Sequence, residues 1–123
     1  SLKQAECIKL KDIDTFAGSS IGERIKRAYA YGGVKREQPF VFEYDRQLVQ
    51  GVIDLYFIED GQLVIVDYKT DRVLRGRAGE DELRRRYSIQ LDYYAMALSQ
   101  ITGLKVKEKV IYSFALGRSL TVE

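Results

Sequence analysis

Residues 48–71 read LVQGVIDLYFIEDGQLVIVDYKTD. Two apolar runs of strand length flank Glu59-Asp60-Gly61-Gln62. An Asp-Gly centre favours a two-residue hairpin turn with positive φ. With Asp60 and Gly61 in the turn, residues that face each other have numbers summing to 121, as 60 and 61 do. Asp54 and Asp67 meet that sum, which predicts them as cross-strand partners on one face, with Cβ atoms roughly 5 Å apart. Lys69, two residues past Asp67, leaves the strand on the same side. The stretch thus predicts an Asp, Asp, Lys cluster on one face of a sheet.

Like charges directly opposite each other destabilise a sheet, and two carboxylates in an apolar setting force one to take up a proton. A divalent cation between them removes both costs, and hard cations such as Mg²⁺ accept carboxylate and carbonyl oxygens plus water. The alternative reading makes one Asp a bulge residue facing solvent, with Lys69 neutralising the other.

At 123 residues the chain suits a single domain, 1–123, with a modest core. No apolar run approaches membrane-spanning length and no signal-peptide pattern stands at Ser1, so no membrane is expected. Cys7 is the sole cysteine, which excludes an internal disulfide, and a reducing cytoplasm is the expected compartment. Cys7 reads as a buried structural thiol. The chain has no histidine, which rules out a His-based triad and disfavours a conventional zinc site. Chemistry then falls to carboxylates, lysine, tyrosine or a metal. A net charge of only +2 means that a polyanion would have to meet a local basic patch.

Working outward, residues 5–10 and 13–16 are short amphipathic pieces. Ser20 with Glu23 three residues on predicts a capping box, with Ile21, Ile25 and Ala28 on the buried face of the helix and Gly32-Gly33 at its end. Phe40-Val41-Phe42-Glu43-Tyr44 reads as a strand entered at Pro39, and Asp45-Arg46-Gln47 as a turn. Leu63-Val64-Ile65-Val66 has the continuous apolarity of a strand covered on both faces. Gly51 marks a bulge or a close backbone approach. Residues 72–80 read as a mobile basic loop. A helix from about 81 to 102 carries the apolar stripe Tyr87, Leu91, Tyr94, Leu98, Ile101 and stops at Gly103. Residues 109–114 read as a last strand. The expected fold class is α/β (α+β), with a mixed sheet, an antiparallel hairpin and flanking helices.

The series Glu37…Pro39-Phe40, Gln50-Gly51-Val52-Ile53-Asp54, Val66-Asp67-Tyr68-Lys69-Thr70-Asp71 and Gln90-Leu91-Asp92-Tyr93-Tyr94 resembles the PD-(D/E)XK nuclease superfamily, over most of the chain from about Phe16 onward. Within it, the resemblance is to the C-terminal nuclease domain of the AddA component of bacterial AddAB (RecB-like) helicase–nucleases. It implies a restriction-endonuclease-like core. It also implies a Mg²⁺- or Mn²⁺-dependent DNA exonuclease domain of an ATP-dependent helicase/nuclease in double-strand-break repair and recombination. The partners it implies are DNA and a second helicase–nuclease subunit. Residue by residue, Asp54, Asp67 and the Tyr68 carbonyl match metal ligands, Lys69 the catalytic lysine, and Gln90 and Tyr94 the Gln-x-x-x-Tyr pair beside the site.

Gln90 could equally satisfy a buried polar group, and Tyr94 could be core. Arg72, Arg75, Arg77, Arg84, Arg85 and Arg86 are the DNA-backbone candidates; the last three could also be a solvated helix face. Members of this branch carry a histidine ligand on an upstream helix. Its absence predicts either a fragment lacking that core helix and the helicase motor, or a catalytically incomplete DNA-binding or scaffold domain.

Overall fold

Alternating and continuous apolar runs put five strands into one sheet. In the computed structural model, which describes residues 10–123, they are β1 (Val34–Tyr44), β2 (Gln47–Glu59), β3 (Gln62–Lys69), β4 (Val106–Ser113) and β5 (Arg118–Val122). Three helices accompany them: α1 (Leu10–Ala17), α2 (Ser20–Ala30) and α3 (Arg77–Thr102). The spatial order is β1-β2-β3-β4-β5. All neighbours are antiparallel except β3 and β4, which run parallel across the α3 crossover. Cys7 and most of the piece at residues 5–10 lie outside the described residues. None of the described helices is long and apolar enough to cross a membrane.

The hairpin forms as its sequence dictates. Asp60 and Gly61 take φ of 53° and 74°, and the ladder holds its register from Glu59↔Gln62 to Leu55↔Val66. Leu63, Val64, Ile65 and Val66 are all fully buried because the sheet is covered on both sides. Leu63 and Ile65 join Leu83, Leu91, Tyr94 and Leu98 of α3. Val64 and Val66 join Ile21, Ile25 and Ala28 of α2, with Phe16 of α1 against them. Arg24 fastens α2 to the sheet by bonds to Glu59 (3.0 and 2.8 Å) and Glu108 (3.3 and 2.8 Å).

Several elements differ from their sequence-based limits. β1 begins at Val34, so Pro39 sits mid-strand; the strand is at the sheet edge, where a missing N–H costs no ladder bond. Ser19, not Ser20, caps α2, its hydroxyl accepting from the Gly22 amide at 3.1 Å. β5 pairs with β4 beyond the expected last strand. Ile101 is 54% exposed, because the buried stripe of α3 starts a turn earlier at Leu83 and ends at Leu98.

α3 also begins earlier, at Arg77, so Gly79 is helical rather than part of a loop. A Cβ there would lie 1.7 Å from the Leu74 carbonyl oxygen, because residues 72–76 fold back over the helix start. Gly79→Ala is expected to destabilise the chain by ~3 kcal/mol, the upper end for overpacking against backbone. A urea unfolding midpoint equal to wild type would show that this contact gives way freely. Gly51 has a similar role: a Cβ would meet the Phe40 ring at 3.0 Å, with Tyr94 at 3.7 Å.

Candidate active site

The site grows out of an irregularity. Ile53 and Tyr56 belong to the α3-side core, whereas Leu55 and Phe57 belong to the other. A strand alternates with period two, so β2 must change face between Ile53 and Leu55. The register on either side leaves Glu37 opposite Asp54, and Glu37 has φ 50°. β2 parts from β3 here, since the recorded ladder ends at Leu55↔Val66. Asp54 takes over as acceptor: its Oδ2 receives the Tyr68 amide at 2.8 Å. Asp54 thus faces the Asp67–Tyr68 segment and is not turned into solvent.

Asp67 follows Val66 into the α3-side layer and is only 2% exposed. Burial pushes its carboxyl up to about 7, the Asp54 carboxylate adds to that push, and Lys69 opposes it. Lys69 Nζ is 3.0 Å from Asp67 Oδ2. The distance is that of an ion pair, yet the approach is not along a hydrogen-bond direction, and this buried oxygen accepts no hydrogen bond among the described residues. Such an orphan acceptor is costly inside a protein.

Lys69 is held on several sides. It donates to Gln90 Oε1 at 3.1 Å, so Gln90 serves the lysine directly. Its ammonium lies 4.1 Å from the centre of the Tyr87 ring. The Tyr87 hydroxyl donates to Asp71 Oδ2 at 2.6 Å, and Arg86 donates to the same oxygen at 2.9 Å. Burial would raise the Asp71 carboxyl, but these two donors hold it below its ordinary range. Tyr87 and Asp71 were not singled out as site residues by sequence reasoning. The signal was present: Tyr87 is one turn before Gln90, and Asp71 is two residues after Lys69.

Tyr94 is 7% exposed and meets the Phe40 ring edge-on, 5.4 Å between centroids. Burial pushes its hydroxyl up to about 12, with Asp67 and then Asp54 adding to the shift. It is a core residue that also walls the carboxylates. The Tyr68 ring points the other way, packing at 5.4 Å from Phe16 and 5.8 Å from Phe114, so only its backbone belongs to the site.

The arginines do not form one face. Three consecutive helical residues point about 100° apart. Arg84 turns to β5, donating to the Thr121 carbonyl at 3.0 Å and pairing with Asp81 at 3.2 Å. Arg86 turns the other way, to Asp71 and Glu82. Arg85 is exposed between them. Arg72, Arg75 and Arg77 are exposed, with Arg77 3.8 Å from Asp81. Grouping residues 84–86 as a single basic surface is therefore incorrect for Arg84.

Comparison with known proteins gives a consistent result. A family model described as the PD-(D/E)XK nuclease superfamily matches residues 14–120. Curated relatives named as AddA-type subunits of ATP-dependent helicase/nucleases include that of Acetivibrio thermocellus, 40% identical over 96% of this chain and 10% of the relative. That of Thermoanaerobacter sp. strain X514 is 39% identical over the same shares, 96% and 10%. That of Lachnoclostridium phytofermentans is 34% identical over 94% of this chain and 12% of the relative. The chain thus spans about a tenth of the length of the curated relatives it matches.

Proposed function

The chain belongs to the PD-(D/E)XK nuclease superfamily, and on that premise we propose that it is a metal-dependent deoxyribonuclease module. The observation that carries this reading is the orphaned, buried Asp67 Oδ2 beside Asp54 and Lys69. A hard divalent cation fits the donor set: Asp54, Asp67 and the Tyr68 carbonyl offer oxygen ligands for Mg²⁺ or Mn²⁺. No group of three or more Asp, Glu, His or Cys side chains suited to a metal occurs among the described residues, so water would complete the coordination. When bound, the cation supplies charge neutralisation at the phosphate and an acidified water.

The chain's own residues do the rest. Lys69 carries a fixed positive charge to the place where negative charge grows on the phosphorus oxygens. Gln90 fixes its direction, and Tyr94 with Phe40 closes the apolar side. Arg72, Arg75 and Arg85, which have no ion-pair partner among the described residues, are the free cations for a DNA backbone. Reversing each to Glu is expected to weaken DNA binding and to lower the salt slope by about 1. Arg84→Glu should leave the slope unchanged. Anisotropy titrations across a salt series would decide, and an equal effect at Arg84 would contradict this assignment.

The relatives' name supports a place for this module within a longer ATP-driven helicase–nuclease, working with a second subunit in break repair in the cytoplasm. Incubating the chain, and the full-length polypeptide of its gene, with linear DNA in Mg²⁺ and in chelator tests the activity. Cleavage in Mg²⁺ alone is expected. The lack of histidine and of a third acidic ligand favours a second reading, a non-cleaving DNA-binding scaffold; DNA binding without cleavage by the full-length polypeptide would establish that instead.

A further inference from the structure

Lysine side chains carry four rotatable bonds and lose about 2 kcal/mol of freedom when fixed. An ammonium that must meet a phosphate in one position therefore needs a device to hold it. Asp67 and Gln90 supply two points, at 3.0 and 3.1 Å. Two points still leave the group free to swing about the line between them. The Tyr87 ring, 4.1 Å from the ammonium, supplies a third surface. Its π face attracts the charge without taking a donor proton.

A ring holds a cation in place only if it is itself held. Tyr87 is anchored at its far end by the 2.6 Å bond from its hydroxyl to Asp71 Oδ2. Asp71 is fixed in turn by Arg86, also at Oδ2, and Arg86 by Glu82 at 2.7 Å on the same helix. Asp71 stands two residues after Lys69 on the strand exit. The same segment of chain therefore delivers the ammonium and the anchor of the ring beneath it. The neutral, buried Tyr87 hydroxyl is held as a donor, pushed up to about 12 by burial and then by Asp71. Nothing in the core demands this arrangement. Tyr87 is partly buried at the margin of the α3-side cluster, where a leucine would cover the same apolar surface.

We propose that Tyr87 is a positioning residue for Lys69, its ring held by Asp71 and Arg86 so that the ammonium is presented at one place and height over the strand exit. The positioning is independent of metal; its use in cleavage rests on the nuclease reading above. The free valence of the ammonium, on the side away from Asp67, Gln90 and the ring, is the one offered to a phosphate oxygen.

Four variants separate the parts. Tyr87→Phe keeps the ring and loses its anchor. Tyr87→Leu loses both. Asp71→Asn keeps an acceptor for the hydroxyl and loses the charge that holds Arg86. Asp71→Ala loses the anchor and leaves the ring in place. In wild type the Lys69 ε-methylene proton resonances are expected upfield of those of the other lysines, because they lie over an aromatic face. The shift should shrink in Tyr87→Phe and Asp71→Ala, persist in Asp71→Asn and vanish in Tyr87→Leu. Single-turnover cleavage in Mg²⁺ should fall in the same order. Tyr87→Leu should lose roughly ten- to a hundredfold in kcat, the scale of a displaced catalytic group. KM and metal affinity should stay within about twofold. A purely structural tyrosine would move KM, kcat and unfolding together, with Phe and Leu alike. Lys69 resonances unchanged in Tyr87→Leu would overturn the proposal, as would a lost shift with full kcat. If Tyr87→Leu fails to fold, Tyr87→Phe against Asp71→Ala decides on the same two readouts. If wild type does not cleave, the nuclease reading fails and the ring-current shift alone decides whether Tyr87 holds the lysine.

Discussion

Lys69→Ala is expected to slow DNA cleavage by roughly a hundred- to a thousandfold, the cost of removing one fixed charge aimed at a developing anion. DNA affinity and metal affinity should change little, because the lysine acts chiefly on charge that exists only in the transition state. The local structure makes this a sharp test. The Lys69 side chain is 12% exposed, so its loss also removes an ion-pair partner from a buried Asp67. Removing one member of a buried pair is usually destabilising. Lys69→Met keeps the stem and its packing on Tyr87, and separates lost charge from lost fold. The two variants should share the rate defect, whereas any loss of stability should be larger for Ala. Cleavage at the wild-type rate by either folded variant would remove Lys69 from the chemistry.

Asp67→Asn should have the second largest effect, and in opposite directions on stability and function. It should abolish the stabilisation of the chain by Mg²⁺ while making the metal-free chain more stable at about pH 8, by ~1–3 kcal/mol, the usual cost of an unsatisfied buried polar group. The folded-state value of Asp67 is about 7 against an ordinary 3.8, a raised pKa. A proton held in the folded state contributes stability that is full below 3.8 and is lost as pH rises to about 7. The difference between variant and wild type should therefore widen across that interval and level off above it. The comparison has to be a difference, since Glu59, which the Arg24 hydrogen bond above all holds at about 2, makes every form less stable at low pH. Thermal or urea unfolding of both proteins in chelator, and again in millimolar Mg²⁺, reads the effect. Equal Mg²⁺ stabilisation of wild type and Asp67→Asn would place the cation elsewhere.

Much of this was legible in the residues themselves. Asp60-Gly61 fixed a turn whose backbone few other pairs adopt, and the turn fixed the register through Leu55↔Val66. The unbroken run Leu63–Val66 could only be a strand with cover on both faces. What stayed hidden has physical reasons. The first half of β1 is Lys35-Arg36-Glu37-Gln38, polar because an edge strand beyond the reach of the helices needs no apolar side chains there. β5 has only five residues and follows a turn at Gly117, so its alternation is too short to stand out. The start of α3 was masked by Gly76 and Gly79, one outside the helix and one inside it for close packing.

The candidate site divides in the same way. Asp54, Asp67 and Lys69 lie along two paired strands, where spacing along the sequence converts directly into position. Even there the face change at Asp54 was not readable, because it depends on Glu37 of a third segment adopting positive φ. Tyr87 shares helical spacing with Leu83 and Leu91, so periodicity assigns it to the stripe. Its contact with Lys69 crosses from helix to strand, and no one-dimensional pattern encodes that distance. The same holds for Arg84, whose carbonyl partner is Thr121 on β5.

The most direct test of the central claim is to locate the cation. Crystals of the chain grown with Mn²⁺ and measured at the manganese absorption edge should show an anomalous peak in contact with Asp54, Asp67 and the Tyr68 carbonyl oxygen, with Asp67 Oδ2 no longer orphaned. The peak should be absent from Asp67→Asn crystals treated identically. A wild-type map with full Mn²⁺ occupancy elsewhere and none between the two aspartates would contradict the assignment of this cluster as a metal-dependent nuclease centre.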